Sequence, residues 1–172
     1  MNIKRTVLFS LLVASSGFAM GQSANKEADL KAVFIYNFTR YIDWDTTTLG
    51  KNFVIGVLGQ SPITTSLNKI AASSTVANRK IIVQVYEVPE NIRSCQILFI
   101  PSQSPHPLPV ILNNTGNSVL TVSEEEGFAR RGTAINFYIL NNKLKFEINV
   151  TELAAKNLRA SSQLLKLATI IQ

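Results

Sequence analysis

Four short apolar runs most constrain the fold of this 172-residue chain. They are rich in β-branched and aliphatic residues, each is followed by Gly, Pro or Ser, and they span residues 53–58, 81–88, 97–100 and 119–122. Strands that are buried in a parallel sheet show such short apolar runs bounded by turn residues. The sequence therefore predicts successive parallel strands of an α/β domain.

Helical patterns precede and separate these runs. Across residues 26–44, apolar side chains recur at intervals of three and four, which predicts an amphipathic helix. After the first run, Ser61 and Pro62 are typical of a helix start. Ser123 followed by Glu126 matches a capping box, so we expect it to start a helical turn through Phe128 to Arg130 whose acidic residues complement the helix dipole. Shorter helices are expected at residues 108–112, 151–157 and 161–168.

The last third of the chain predicts an antiparallel hairpin. Residues 134–140 and 143–150 alternate in polarity around Asn141 and Asn142, and asparagine tolerates the left-handed backbone of a two-residue turn. The chain contains no linker or internal repeat, so we expect one domain. The predicted fold is a single-domain, three-layer α/β sandwich with a mostly parallel sheet and this C-terminal hairpin.

The N-terminal residues predict export from the cytoplasm. Lys4 and Arg5 precede an uncharged apolar run at residues 6–19, which is shorter than the roughly 20 residues of a membrane-spanning helix. Small residues then end at Gly21, so we expect residues 1–21 to be a cleaved signal peptide. The mature domain, residues 22–172, has no cysteine near its start for lipid attachment and is expected to be free of any direct membrane anchor.

Composition argues for binding rather than chemistry. The net charge of +6 is not concentrated in a basic run, so nucleic-acid binding is not indicated. Only 16% of the residues are charged and 46% are apolar, which leaves apolar surface for a protein partner. Cys95 is the only cysteine, so no internal disulfide can form and a buried thiol is expected.

The sequence carries no recognisable catalytic or metal-binding set. His106 is the only histidine and lies in a proline-rich loop, and there is no nucleophile elbow and no metal-ligand spacing. We therefore predict a non-catalytic protein with no cofactor and no metal.

Two groups of residues are candidates for binding. Open α/β sheets bind small ligands in the crevice at the carboxyl ends of their parallel strands. Tyr41 and Trp44 lie beside two carboxylates at the end of the first predicted helix, as a packed corner or as an edge for partner recognition. On the predicted topology, the small or polar residues that would line the crevice are Gly59, Gln60, Ser61, Ser102, Gln103, Ser123 and Glu124.

Five ordered segments resemble the YfiR family of bacterial periplasmic proteins. They are LKAVFIYNFTRYIDW at 30–44, FVIGVLGQSP at 53–62, CQILFIPSQ at 95–103, VLTVSEEEGFARRGTAINF at 119–137 and KFEINVTELAAKNLRASSQLLKLA at 145–168. The resemblance implies a Rossmann-like α/β domain. It also implies a regulator, since the founding member restrains an inner-membrane diguanylate cyclase by binding its periplasmic part and so controls cyclic di-GMP output.

The chain departs from the family pattern at two places. Family members with structural disulfides use several cysteines, whereas only Cys95 is present here, so control through an internal disulfide is excluded. Asp45 follows Trp44 where the family commonly has proline, which predicts a different turn after the first helix.

Three hypotheses for the function follow. The first is a non-enzymatic periplasmic regulator, acting as a dimer, that docks on the outer-facing part of a membrane signalling protein of the diguanylate cyclase type. The second is a periplasmic small-ligand sensor that uses the strand-end crevice and works with a histidine kinase or a transport system. The third is an uncharacterised enzyme, which the missing catalytic sets disfavour.

Overall fold

A computed structural model describes the backbone of residues 18–44 and 50–172, and the side chains from residue 25 onward within these ranges. Most of the predicted signal peptide and Asp45 lie outside the described residues. The first helix begins at Phe18, so its first turn lies on the signal-peptide side of the predicted cut.

The described residues form ten strands and five α-helices. The helices are α1 (Phe18–Tyr41), α2 (Ile63–Ser73), α3 (Leu108–Asn113), α4 (Val150–Ala155) and α5 (Ser162–Leu165). The strands are β1 (Ile42–Asp43), β2 (Asn52–Leu58), β3 (Thr75–Val76), β4 (Arg79–Tyr86), β5 (Ile97–Ile100), β6 (Leu120–Ser123), β7 (Ile135–Leu140), β8 (Lys143–Asn149), β9 (Arg159–Ala160) and β10 (Thr169–Ile171).

Eight of these strands form one mostly parallel sheet in the order β10-β8-β7-β6-β5-β2-β4-β3. Its neighbouring strands are parallel except for the pairs β7–β8 and β3–β4. The α/β class and the parallel strands are thereby confirmed, because the four apolar runs form β2, β4, β5 and β6 with shifts of at most two residues. Strands β1 and β9 pair separately.

The strand order reverses direction between β2 and β5. The chain passes from β2 outward to β4 and then returns to the other side of β2, where it continues through β5 and β6. Such a reversal leaves a crevice at the carboxyl ends of the two strands, since the connections leave in opposite directions. The fold therefore places the loops after β2, β5 and β6 around one point.

Helices contribute to a core cluster on each side of the sheet. The larger cluster contains Ile35 and Phe38 of α1 together with side chains of α2, α4 and α5. The smaller cluster contains Leu108 and Ile111 of α3, together with Cys95, whose predicted burial is confirmed. No helix that the structure describes combines the length and hydropathy needed to cross a bilayer.

Aromatic packing fixes α1 across β7 and β8. Phe38 lies 6.0 Å from Phe137 and 5.3 Å from Phe146, measured between ring centroids, and Phe34 lies 5.6 Å from Phe146. Pairs of this kind contribute about 0.5–1.5 kcal/mol each beyond the area they bury. The helix axis is therefore held over the sheet, which positions Lys31, near the middle of the helix, beside the carboxyl end of β6.

Short connections follow local backbone chemistry. Between β7 and β8, which pair antiparallel, Asn141 and Asn142 have φ of 50° and 57°. Asn157, predicted to end the helix before it, has φ of 57°, and the next amide donates to a carbonyl inside α4. The Ser161 hydroxyl accepts from the Leu164 amide at 3.3 Å, as expected of a helix cap.

Two local predictions are wrong. Ser123 does not cap a helix, because it ends β6 and its hydroxyl bonds to the neighbouring strand, while the next helical turn is a 3-10 turn at Ala129–Arg131. The last helix does not continue to Ala168. It ends at Leu165, and residues 169–171 form β10 on the edge of the sheet, parallel to β8.

Candidate functional site

A cavity of about 560 Å³ lies at the point where the strand order reverses. It is bounded by the loops after β2, β5 and β6 and by the middle of α1, through Glu27, Ala28 and Lys31. We call it the switch-point crevice. Five of the seven residues predicted to line such a site do line it: Gln60, Ser61, Ser102, Gln103 and Glu124.

Gly59 and Ser123, the other two predicted residues, do not line the crevice. Gly59 has a φ of 75°, and its amide donates to the Tyr86 carbonyl at 2.7 Å, so it shapes the turn before Gln60. Ser123 is fully buried. The strand-end prediction failed for Ser123 because its side chain points between strands instead of outward.

Ser123 belongs to a buried polar cluster that joins β6 to β7. Its hydroxyl donates to the Asn136 side-chain oxygen at 2.6 Å and lies 2.8 Å from the Thr133 hydroxyl. The neighbouring Thr121 hydroxyl accepts from the Ala134 amide at 2.9 Å. Only two residue pairs of β6 and β7 are in register, so these side-chain hydrogen bonds add to the contacts that hold the two strands together. The role of Ser123 in this cluster is structural.

Lys31 and Glu27 of α1 are the charged residues of the crevice that the sequence did not reveal. The Lys31 ammonium contacts the Glu124 carboxylate and lies 2.5 Å from a Glu27 oxygen. The Lys31 side chain is 12% exposed and the Glu124 side chain 16%. Burial alone would lower the pKa of Lys31, but its hydrogen bonds to Glu124 and Glu27 and their charges raise that pKa above its ordinary value.

Glu124 is held from a second direction. Its other carboxylate oxygen accepts a hydrogen bond from the Ser102 amide at 3.2 Å. It therefore joins the end of β6 to the loop after β5 and to α1 at once. The sequence interpretation of the glutamate run as a solvated first helical turn is wrong for Glu124.

The opposite wall of the crevice is the start of α2. The Thr64 amide donates to the Ser61 carbonyl at 3.1 Å, and the Ser61 hydroxyl lies 3.4 Å from the Ile63 amide. Further along, the Ser66 hydroxyl donates to Asp29 of α1 at 2.6 Å. Both helices that frame the crevice are thus bonded to each other, which fixes its width.

The chemistry of the crevice is that of a polar binding site. It offers amide and hydroxyl groups, two carboxylates and one lysine that is already paired with both of them. Within the described residues, no group of three His, Cys, Asp or Glu side chains could hold a metal ion. A second cavity, of about 640 Å³, shares Glu124 and is also lined by Arg130, Tyr138 and Glu147.

Tyr41 and Trp44, the predicted partner-binding residues, are half-buried and pack against the larger core cluster. The Trp44 ring stands edge to face with Phe53 at 5.4 Å. The Tyr41 carbonyl accepts from the Ser161 amide at 2.8 Å. The structure does not bring these two residues to the crevice.

Large exposed apolar side chains lie elsewhere. Ile139 and Leu140, at the end of β7, are 52% and 51% exposed, and Leu167 and Ile170, next to and within β10, are 67% and 43% exposed. We call these four residues the apolar edge; Ile170 lies on β10, the outermost strand of the sheet, Leu167 precedes that strand, and Ile139 and Leu140 lie at the hairpin end of β7, the third strand. Sequence periodicity missed it, since residues 161–168 were predicted to be a helix with a buried side.

Comparison with protein families places most of the chain in a family. A family described as YfiR/HmsC-like matches residues 28–169, which includes α1 from Ala28 onward and every strand of the sheet except the last two residues of β10. No curated protein matches the chain. Because the matched segment covers most of the sequence, the chain belongs to the YfiR/HmsC-like family.

Proposed function

We propose that this protein is a non-enzymatic periplasmic regulator that binds the extracytoplasmic part of an inner-membrane signalling protein of the diguanylate cyclase type, and so modulates cyclic di-GMP signalling. The observation that carries the proposal is the family match over residues 28–169. The export signal expected at residues 1–21 supports the periplasmic location. The polar, paired groups of the crevice favour binding over catalysis.

The apolar edge is the surface on which we propose that the partner docks. Its four side chains are each more than 40% exposed, and one of them, Ile170, lies on the outermost strand of the sheet. An outermost strand also offers backbone groups to a partner strand. Tyr41 and Trp44 offer a partner less surface, because both are half-buried and pack against the core.

Crosslinking in living cells tests this function. A photoreactive residue at Leu140 or Leu167 should capture an inner-membrane protein that has a periplasmic domain and a cytoplasmic cyclase domain. Ile170→Lys should reduce this capture and change the cellular cyclic di-GMP level, because a charge is placed in an apolar contact. Val85→Lys is the matched control, since Val85 is, like Ile170, an exposed β-branched residue of a strand, 36% exposed, but lies on β4.

Two results would count against the regulator. One is capture of membrane proteins that lack a signalling domain, and the other is an unchanged cyclic di-GMP level in a strain without the protein. A second copy of the chain could also cover the apolar edge. Analytical ultracentrifugation of the wild type and of Ile170→Lys would separate a dimer interface from a partner interface.

The switch-point crevice favours a second candidate, a small-ligand sensor that works with a histidine kinase or a transport system. Its support is the position of the cavity at the reversal of strand order, where open α/β sheets hold ligands. A ligand that binds the folded protein must raise its melting temperature. A metabolite screen in which none does so would reject this candidate and leave the regulator untouched.

A further inference from the structure

The switch-point crevice is acidic although the protein is basic. The whole chain carries a net charge of +6, whereas the charged residues that line the crevice are Glu27, Lys31 and Glu124, which sum to one negative charge. The sign of the local charge is therefore opposite to that of the chain. This local excess comes from residues of two distant elements, α1 and the end of β6.

The three charged groups already form a contact between an ammonium group and two carboxylates within the protein. Lys31 places a primary ammonium between two carboxylates, and the Ser102 amide fixes one of these carboxylates in orientation. A carboxylate oxygen can accept more than one hydrogen bond, so Glu27 and Glu124 can bind a second ammonium or exchange the first. Glu27 is the accessible member, because its side chain is 43% exposed.

The residues that line the crevice favour some classes of ligand and disfavour others. Phosphates and nucleotides are disfavoured, because Lys31, the one cation among the described lining residues, is neutralised by two carboxylates and a further anion would be repelled. None of the side chains that line the cavity is aromatic, so stacking of a base or a sugar ring is not offered. Gln60 and Gln103 carry amides that can bond to hydroxyl, amide or carboxyl groups elsewhere on a small molecule.

We propose that the switch-point crevice binds a small hydrophilic amine through its ammonium group, which Glu27 and Glu124 recognise in competition with Lys31. The volume of about 560 Å³ lies in the range of small-molecule sites. This inference rests on the second candidate function and names its ligand class. Free amino acids and polyamines share the ammonium chemistry, and the experiment separates them.

The test titrates the purified mature protein with defined probes at constant ionic strength. The probes are putrescine, ethanolamine and alanine, with sodium acetate and inorganic phosphate as anions that lack an amine. Binding is followed by calorimetry and by the melting temperature. We expect the amines to raise the melting temperature and the two anions to leave it unchanged. Stronger binding of alanine than of ethanolamine would assign an amino acid, and stronger binding of putrescine a polyamine.

Substitution of Lys31 distinguishes an amine site from an anion site, because the expected change in ligand affinity has the opposite sign for the two. Lys31→Met keeps the length of the side chain and removes the competing ammonium, so amine affinity should rise about tenfold. At an anion site the same variant would lose affinity. Glu27→Gln should weaken amine binding about five- to tenfold, and its half-exposed position makes it compatible with folding. Glu126→Gln is the matched control, because Glu126 is an exposed glutamate of the same loop and does not line the crevice.

The proposal is overturned if the amines leave both the wild type and Lys31→Met unchanged, or if Lys31→Met binds them less tightly. Binding of phosphate or acetate alone would also overturn it. If another metabolite raises the melting temperature while the amines do not, the ligand-sensor function survives and only the ligand class proposed for it is wrong.

Discussion

The buried thiol of Cys95 makes the stability of the protein depend on pH in the alkaline range. Cys95 is 3% exposed and packs in the smaller core cluster. Burial raises the pKa of the thiol from 9.0 to about 12. Below pH 9 the thiol is protonated in both the folded and the unfolded chain. Above pH 9 the unfolded chain releases the proton first, so stability is lost as the pH rises toward the folded pKa.

The size of this loss follows from the pKa difference. Each pH unit between the two pKa values changes the free energy of unfolding by about 1.4 kcal/mol. Between pH 8 and pH 10 the thiol should therefore cost about 1.4 kcal/mol, since one unit of this interval lies above the unfolded pKa. Burial also raises the pKa of Tyr86, and hydrogen bonds to Glu124 and Glu27 outweigh burial and raise the pKa of Lys31, so pH 10 is a suitable upper limit.

Urea unfolding of the wild type and of Cys95→Ala, at pH 7, 8, 9 and 10 with a reducing agent present, measures this effect. Cys95→Ala lacks the titrating thiol and keeps every other titratable group. Any loss of unfolding free energy from poorer packing is therefore the same at each pH. We expect the wild type to lose about 1.4 kcal/mol more than Cys95→Ala between pH 8 and pH 10. A difference between the two proteins that stays constant over this interval would refute the argument.

Three further substitutions test other contacts, each by urea unfolding. Ser123→Ala should destabilise by about 1–3 kcal/mol, because the buried Asn136 oxygen loses its donor, while amine binding should not change. Glu124→Gln should cost about 1–2 kcal/mol, less than a fully broken buried pair, because Lys31 keeps its second carboxylate. Gly56→Ala should cost about 1–3 kcal/mol, since its Cβ would lie 2.7 Å from a tyrosine ring of β4. Unchanged unfolding midpoints would contradict each of these assignments.

The sheet could be predicted because the apolar pattern of a buried strand is visible in the residues of that strand alone. Residues 97–100 were predicted as a strand and form β5 with the same bounds, and all four are buried. Continuous burial requires continuous apolar residues, so one sequence suffices to recognise such a strand. Asn157 and Ser161 were predictable for a similar reason, because backbone angles and caps depend on a few neighbouring residues.

The charged core of the crevice could not be predicted, because its partners are far apart in sequence. Lys31 and Glu124 are separated by 93 positions, and their pairing depends on the position of α1 over the end of β6. A local signal existed, since Lys31 falls on the same side of the helix as the buried residues Ala28, Ala32 and Ile35. A lysine within a buried stripe requires an acidic partner, but the pattern of the helix does not show which residue that partner is.

Ser123 and β10 were mispredicted because one pattern fits two environments. A serine followed by glutamate three residues later suits a helix cap and also a strand end, and the choice depends on Asn136, which lies 13 residues further on. Leu164, Leu165 and Ala168 have helical spacing, yet residues 169–171 pair with β8. Edge strands are short and half-exposed, so their pattern is weak.

The two proposed surfaces are connected by one helix. Lys31 lies at the crevice, and one turn further along α1, Phe34 contacts Phe137 of β7 and Phe146 of β8. Strand β7 ends in the apolar edge, so a ligand that moves α1 acts on an element in contact with the partner surface. Glu27→Gln should then change the effect of putrescine on partner capture, since coupling between two sites is reciprocal. If putrescine leaves capture by the wild type unchanged, the two surfaces work independently.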